Sequence, residues 1–230
     1  MSMAPGEKLK PFESIVVIPA FEEAATIASI ITEVQNQGYP VIVVNDASTD
    51  DTSAMALLAG AQVLDLPCRL GAWGATQAGM LHALRTGYRN IVTIDGDGQH
   101  SPEDISALLA PISEGTADLV IGSCVSRGSV ARHAAWSLFR AISGLNIEDL
   151  TSGYRAYNTS ATRASLGAEA TLADYQDLGI LLLARRKSFR LKEVPVSMSQ
   201  RVFGKSHVFP SWLEVIRYMI YTIIIAYLRR

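Results

Sequence analysis

Asn90-Ile91-Val92-Thr93-Ile94-Asp95-Gly96-Asp97-Gly98-Gln99-His100 is a stretch of two unlike halves. Ile91 to Ile94 is a short β-branched run of the kind that forms a buried strand. It breaks at once into Asp-Gly-Asp-Gly, where flanking glycines let the backbone turn both carboxylates toward one point. Carboxylate oxygens at a strand end suit a hard cation, Mg²⁺ or Mn²⁺, which keeps several waters and also takes phosphate oxygens. The tetrapeptide alone equally suits a solvated turn, so its meaning depends on what surrounds it.

Outward from this stretch, strands and helices alternate from residue 14 to 123. Ser14 to Ile18 reads as a strand stopped by Pro19, and Glu22-Glu23 lead into a helix from about Ala24 to Gln37, favouring its positive end. Val41 to Val44 is a second strand, closed by the turn and cap formers Asn45 to Asp50. A helix over Asp51 to Ala59, a strand over Gln62 to Leu66 and a helix over Gly71 to Arg85 follow. Ser101-Pro102-Glu103-Asp104 opens the next helix, with Ser as N-cap and Pro in the first turn. Leu119 to Gly122 is a fifth strand. Strands apolar on both faces, alternating with helices, mean an α/β fold whose largely parallel sheet is covered on both sides. Ligands of such sheets bind beyond the carboxyl ends of the strands. Pro19 to Glu23, Asn45-Asp46 and Asp95 to Asp97 all fall there, so three polar clusters converge on one rim. That convergence raises Asp-Gly-Asp-Gly from a turn to a candidate metal and phosphate site.

Past residue 123 the rhythm changes. Arg127, Arg132 and Arg140 punctuate a segment that is helical near Val130 to Ser143, and Glu148 to Tyr157 is half loop, half strand. A helix around Tyr175 to Arg186 precedes a last strand, Leu191 to Val196. Asp177 at that helix start is a candidate general base, or equally a carboxylate favoured by the dipole. Gln200 to His207 is a basic, Gly-containing loop; its Arg201 and Lys205 suit a diphosphate or ordinary surface positions.

The 230 residues fit one large domain, 1–210, with an appended C-terminal helix, 211–230. A formal charge of −2 excludes a general nucleic-acid binder, which needs a basic excess against phosphates. Cys68 and Cys124 form no metal-binding pattern and read as reduced thiols. The polar opening MSMAPGEKLKPFES has no apolar signal core, so the expected location is the cytoplasm. Tyr218 to Leu228 is nearly all apolar but spans only about 16 Å as a helix, short of the ~20 residues of a membrane crossing. With Trp212, Tyr221, Tyr227, Arg217, Arg229 and Arg230 it suits a helix at headgroup level, hence peripheral attachment to the cytoplasmic membrane face. A core or homodimer-interface helix is the other reading.

VVIPAFEEAATI, VVNDASTDDT, IDGDGQHSPEDI, TSGYRAYN and QRVFGKSH stand in the order and spacing of the family 2 glycosyltransferases. Within that family the chain resembles the polyprenyl-phosphate sugar transferases of the dolichol-phosphate mannose synthase type, over about Ser14 to His207. The resemblance implies a GT-A-like fold and inverting, metal-dependent transfer from a GDP- or UDP-linked sugar to a polyprenyl-phosphate-type acceptor. It implies that Asp46 contacts the nucleobase and that Pro19, Ala20 and Glu22 or Glu23 line the nucleoside pocket. Asp95 and Asp97 would bracket the Mg²⁺ or Mn²⁺ and the diphosphate, with Gln99 near the metal. Arg201 and Lys205 would close over donor and acceptor phosphates, with Arg127 and Arg132 helping to hold them. Four residues depart from the pattern: Asn45 for Asp, Glu22 for Asn, Cys124 for a frequent Arg and His207 for a common Lys. A hydroxyl acceptor in the same family, and a non-catalytic sugar-nucleotide-binding relic, are the alternatives. A sugar-nucleotide pyrophosphorylase shares the sheet and metal logic but wants a Gly-rich, Arg-containing first loop, which PAFEEAATI is not.

Overall fold

The computed structural model describes residues 13–124, 140, 144–171 and 178–199. Seven strands form one sheet in the order β3-β2-β1-β4-β6-β5-β7. They are β1 (Ser14–Ala20), β2 (Val41–Asn45), β3 (Gln62–Asp65), β4 (Asn90–Thr93), β5 (Leu119–Ser123), β6 (Arg155–Tyr157) and β7 (Leu191–Pro195). All pairs are parallel except those of β6, which runs antiparallel to both β4 and β5. The chain builds outward from β1 to β3, then returns to lay β4 on the other side of β1. The order therefore reverses between β1 and β4, and sheets of this kind bind ligands in the crevice at the strands' carboxyl ends at such a point.

Alternation within each strand divides the core into two layers. Ile15, Val17, Ile42, Val44, Ile91, Leu119 and Tyr157 pack against α3 (Gly71–Arg85) through Trp73, Met80 and Ala83 and against the helix Leu178–Arg186. Val16, Ile18, Val43, Val92, Val120 and Ala156 face the other way. They meet Ile27, Ile31 and Val34 of α1 (Ile27–Asn36), Ala56 of α2 (Thr52–Leu58) and Leu108 and Ile112 of α4 (Ile105–Ser113). A strand with both phases apolar can sit only between two such layers. Contact is tightest at Gly79 of α3, where a Cβ would strike Val17 Cγ1 and come within 2.8 Å of Val44 Cγ2. Gly79→Ala is expected to destabilise the protein by about 2 kcal/mol through overpacking, despite alanine's better helix propensity. A urea midpoint equal to wild type would mean that α3 can ride further from the sheet.

Several expected boundaries shift, each for a local reason. Pro19 does not stop β1. Alternate residues of β1 bond to opposite neighbours: Ala20 O accepts from Asp46 N–H on one side, and Val17 O from Ile94 N–H on the other. Pro19 shares the side of Val17, where β4 has already ended at Thr93, so its missing N–H deprives no acceptor. The helix after β1 begins at Ile27 rather than Ala24, with Thr26 as N-cap and no acidic residue in its first turn. Glu22 and Glu23 thus do not serve the helix dipole. Ser101 does cap as expected, accepting from Glu103 N–H, but the turn it opens is a 3₁₀ segment, Pro102–Asp104, ahead of α4. The expected helix near 130–143, apart from Arg140, and the C-terminal helix 211–230 lie outside the described residues.

Candidate active site

The loops after β1 and β2 are laced together over the crevice. Glu22 N–H donates to Ser48 Oγ (3.0 Å), Glu23 N–H to Thr52 Oγ1 (2.9 Å) and Ala24 N–H to Asp50 Oδ2 (3.2 Å). In return Glu22 Oε1 accepts from Thr49 N–H at 2.7 Å and the Thr49 hydroxyl at 3.0 Å. Glu22 has a φ of +57°, a left-handed conformation that asparagine tolerates better than glutamate. The position that usually holds Asn is therefore a strained one, and the clamp on Thr49 offsets the strain.

Asn45 is explained by its partner. Its Nδ2 donates to Asp65 Oδ1 (2.8 Å) and its Oδ1 accepts from Ser48 N–H (3.1 Å). An aspartate here would face Asp65 with no proton to donate, so Asn45 and Asp65 form a matched pair. Asp46 is buried, and its two oxygens accept from Leu70 N–H (2.6 Å) and Gly71 N–H (2.9 Å) at the start of α3. The carboxylate thus satisfies two amides that the helix leaves unpaired. Beside it the Arg69 guanidinium lies 3.7 Å above the Phe21 ring centre, a cation–π contact that joins the first loop to the approach of α3.

The Asp-Gly-Asp-Gly loop is drawn onto the end of β1. Thr26 Oγ1 donates to Gly96 O at 2.7 Å, and a Cβ on Gly96 would sit 3.3 Å from Pro19 O. Asp97 is 7% exposed and its Oδ1 accepts from Gln99 N–H (3.1 Å), whereas the Asp95 side chain is 38% exposed. The Gln99 amide leans toward Ser199 O at 3.5 Å, and Gln99 O accepts from Ser199 N–H at 2.8 Å. Among the described residues no three His, Cys, Asp or Glu side chains form a complete cage. Two carboxylates on one partly buried loop still fit a cation that draws its other ligands from water and phosphate.

Sequence reading gave no role to His100, yet the structure buries it against this loop. The ring is 1% exposed, with Nε2 3.6 Å from Asp95 Oδ2 and its centre 5.0 Å from that of Tyr154. Neither ring nitrogen has a hydrogen-bond partner among the described residues, an arrangement that costs about 1–3 kcal/mol per buried polar group. The only sequence signal was its place in the stretch that opens the site.

The TSGYRAY segment closes the far side. Thr93 Oγ1 donates to Gly153 O (2.7 Å), and Tyr154 donates its hydroxyl to Ser101 O (3.0 Å). Burial, reinforced by Asp104 and Tyr39, pushes the Tyr154 hydroxyl far above the usual phenol range, so it remains a donor. Arg155 is wholly buried and reaches Leu150 O through Nη2 (3.3 Å). At Cys124 it is the backbone N–H that is held, by Asp149 Oδ2 at 3.4 Å.

Pro19, Ala20, Glu22, Glu23, Asn45, Asp46, Asp95, Asp97 and Gln99 all stand on the loops or strand ends around the one crevice. Arg127, Arg132, Asp177, Arg201 and Lys205 lie outside the described residues. Residues 15–167, two thirds of the protein, match the family profile described as Glycosyl transferase family 2. The chain belongs to that family. This family 2 member is a glycosyltransferase. It is 31% identical over 212 residues to the polyprenol monophosphomannose synthase of Mycolicibacterium smegmatis, covering 84% of this chain and 80% of that one. It is 32% identical over 210 residues to the undecaprenyl-phosphate mannosyltransferase of Micrococcus luteus, covering 84% and 86%. Its fold matches that of glucosyl-3-phosphoglycerate synthase from Mycobacterium tuberculosis, crystallised with Mn²⁺, UDP and phosphoglyceric acid, with a TM-score of 0.68. That match covers 94% of this chain and 77% of the other at 22% identity, a likeness of fold alone. The GT-A-like architecture expected from the motifs is therefore the one observed. No helix among the described residues is long and apolar enough to cross a membrane.

Proposed function

We propose that this glycosyltransferase moves a sugar from a GDP- or UDP-linked donor to a polyprenyl-phosphate-type acceptor at the cytoplasmic membrane face, with inversion at the anomeric carbon. The observation that carries the reading is the reversal of strand order between β1 and β4, beyond whose carboxyl ends stand a half-buried Asp95 and a buried Asp97. Support for the acceptor comes from the relatives, named for polyprenol and undecaprenyl phosphate. Asp95 and Asp97, with Gln99 beside them, would hold Mg²⁺ or Mn²⁺. Bound there, the ion supplies positive charge against the leaving diphosphate. Pro19, Ala20, Glu22, Glu23, Asn45 and Asp46 shape the nucleoside end of the crevice. Asp46 acts there by fixing the start of α3, since both its oxygens are engaged by backbone amides. Arg127, Arg132, Arg201 and Lys205 supply cations for two phosphate groups. Residues 211–230 would bring the site to the lipid surface.

Thermal shift with GDP- and UDP-sugars tests the donor half of this reading. Donor at ~100 times its dissociation constant should add about 2.7 kcal/mol when Mn²⁺ or Mg²⁺ is present, and little in EDTA. Equal stabilisation in EDTA would remove the metal from the site. Transfer from radiolabelled donor tests the acceptor half. A short polyprenyl phosphate should be glycosylated, whereas transfer only to a glycan hydroxyl or a small phosphorylated acid would overturn the lipid assignment.

A further inference from the structure

His100 is the buried polar group that the site as described does not use. Its ring is walled by Tyr154 on one side and aims Nε2 at Asp95 on the other, 3.6 Å away and just beyond hydrogen-bond length. Neither nitrogen is satisfied by any described residue. A tilted contact with Tyr154, 45° between the ring planes, accounts for a planar ring here but not for a choice of imidazole, since a phenyl ring would make the same contact. The backbone of His100 pairs with Met198, and its neighbour Gln99 accepts from Ser199 N–H, while Asp104 Oδ2 accepts from Ser197 N–H at 2.7 Å. The segment around His100 is thus tied to residues 197–199, and the ring directs Nε2 at the Asp95 carboxylate.

We propose that His100 is a positioning residue for the donor site: its Nε2–H holds one oxygen of the Asp95 carboxylate so that the other faces the cation. The inference rests on the metal reading of Asp95 and Asp97 given above. A rigid donor on one oxygen of the Asp95 carboxylate favours the side-chain position that presents the other oxygen to the crevice. Partners of this kind, behind the groups that touch a metal, typically alter metal affinity 10- to 100-fold.

The test measures Mn²⁺ affinity directly, by the paramagnetic resonance of free Mn²⁺, with GDP or UDP present. Three proteins are compared: wild type, His100→Phe, which keeps a ring against Tyr154 without the donor, and His100→Gln, which restores a donor. His100→Phe should bind Mn²⁺ at least ~10-fold more weakly, with unchanged circular dichroism and unchanged nucleotide affinity in EDTA. His100→Gln should recover most of the loss. Wild-type affinity in His100→Phe, or a loss in His100→Gln as large as in His100→Phe, would reduce His100 to packing and overturn the inference alone. A wild-type protein that binds no Mn²⁺ with either nucleotide would overturn the donor-site reading and this inference with it. Nitrogen NMR of ¹⁵N-histidine protein decides the matter where His100→Phe does not fold. Mg²⁺ with GDP or UDP should move Nε2 of His100 to a hydrogen-bonded position, and an unmoved resonance overturns the inference.

Discussion

Asp97→Asn is expected to lower turnover by roughly 10²-fold or more, by analogy with the loss of one well-placed electrostatic stabiliser. The substitution is informative because it changes so little else. Asp97 is almost fully buried, and its Oδ1 already accepts from Gln99 N–H. An asparagine keeps that acceptor and nearly the same volume, so the turn through Gly98, with its φ of +72°, should survive. What disappears is one negative charge facing the crevice. Melting temperature without ligand should stay close to wild type, while the metal concentration for half-maximal activity rises. Near-normal turnover with an unchanged metal requirement would show that Asp97 is not a ligand.

Arg201→Ala is expected to hurt transfer to a short polyprenyl phosphate far more than Asp177→Asn does. A hydroxyl acceptor must lose its proton as it attacks, and a general base typically contributes 10²- to 10⁴-fold to such a step. A phosphate acceptor is already an anion, so a base adds little to its chemistry. Its difficulty is instead the repulsion between two phosphate groups brought close together. Cations that bind both relieve it, and charge-assisted, two-pronged contacts from arginine are the strong form of that binding. Arg201→Ala should therefore cost on the order of 10²-fold in kcat/KM, and Asp177→Asn only a few-fold. The two variants, assayed side by side with radiolabelled donor, decide the acceptor class. Loss of transfer in Asp177→Asn, together with refusal of a polyprenyl phosphate, would mean a hydroxyl acceptor.

Much of the architecture was legible before any coordinates. The strands at 14–20, 41–45 and 90–93 lie within two residues of the β-branched runs, and the helix Gly71–Arg85 stands where periodicity put it. Apolar strands without alternation required a sheet covered on both faces, and two core layers are found. The boundaries missed were those decided by partners rather than propensity. Pro19 stays in β1 because its neighbour strand ends early, and the approach to α1 is held by Glu23 N–H donating to Thr52 and Ala24 N–H to Asp50. No local rule carries either fact.

The same division runs through the site. The sequence by itself determined which residues could do chemistry: two carboxylates flanked by glycines at a strand end, polar clusters ending three strands, and motifs whose order places the chain in its family. Residue types and short-range periodicity are local properties, and the strand-end rule needs only the order of elements. The tertiary structure alone decided how those residues are engaged. It occupied Asp46 with the amides of Leu70 and Gly71, matched Asn45 to Asp65 across 20 positions, and put β6 antiparallel between β4 and β5. It also buried His100 against Asp95 with both nitrogens unused. Each depends on atoms brought together from distant parts of the chain, and an unsatisfied donor becomes recognisable only once the surroundings that could have satisfied it are in place.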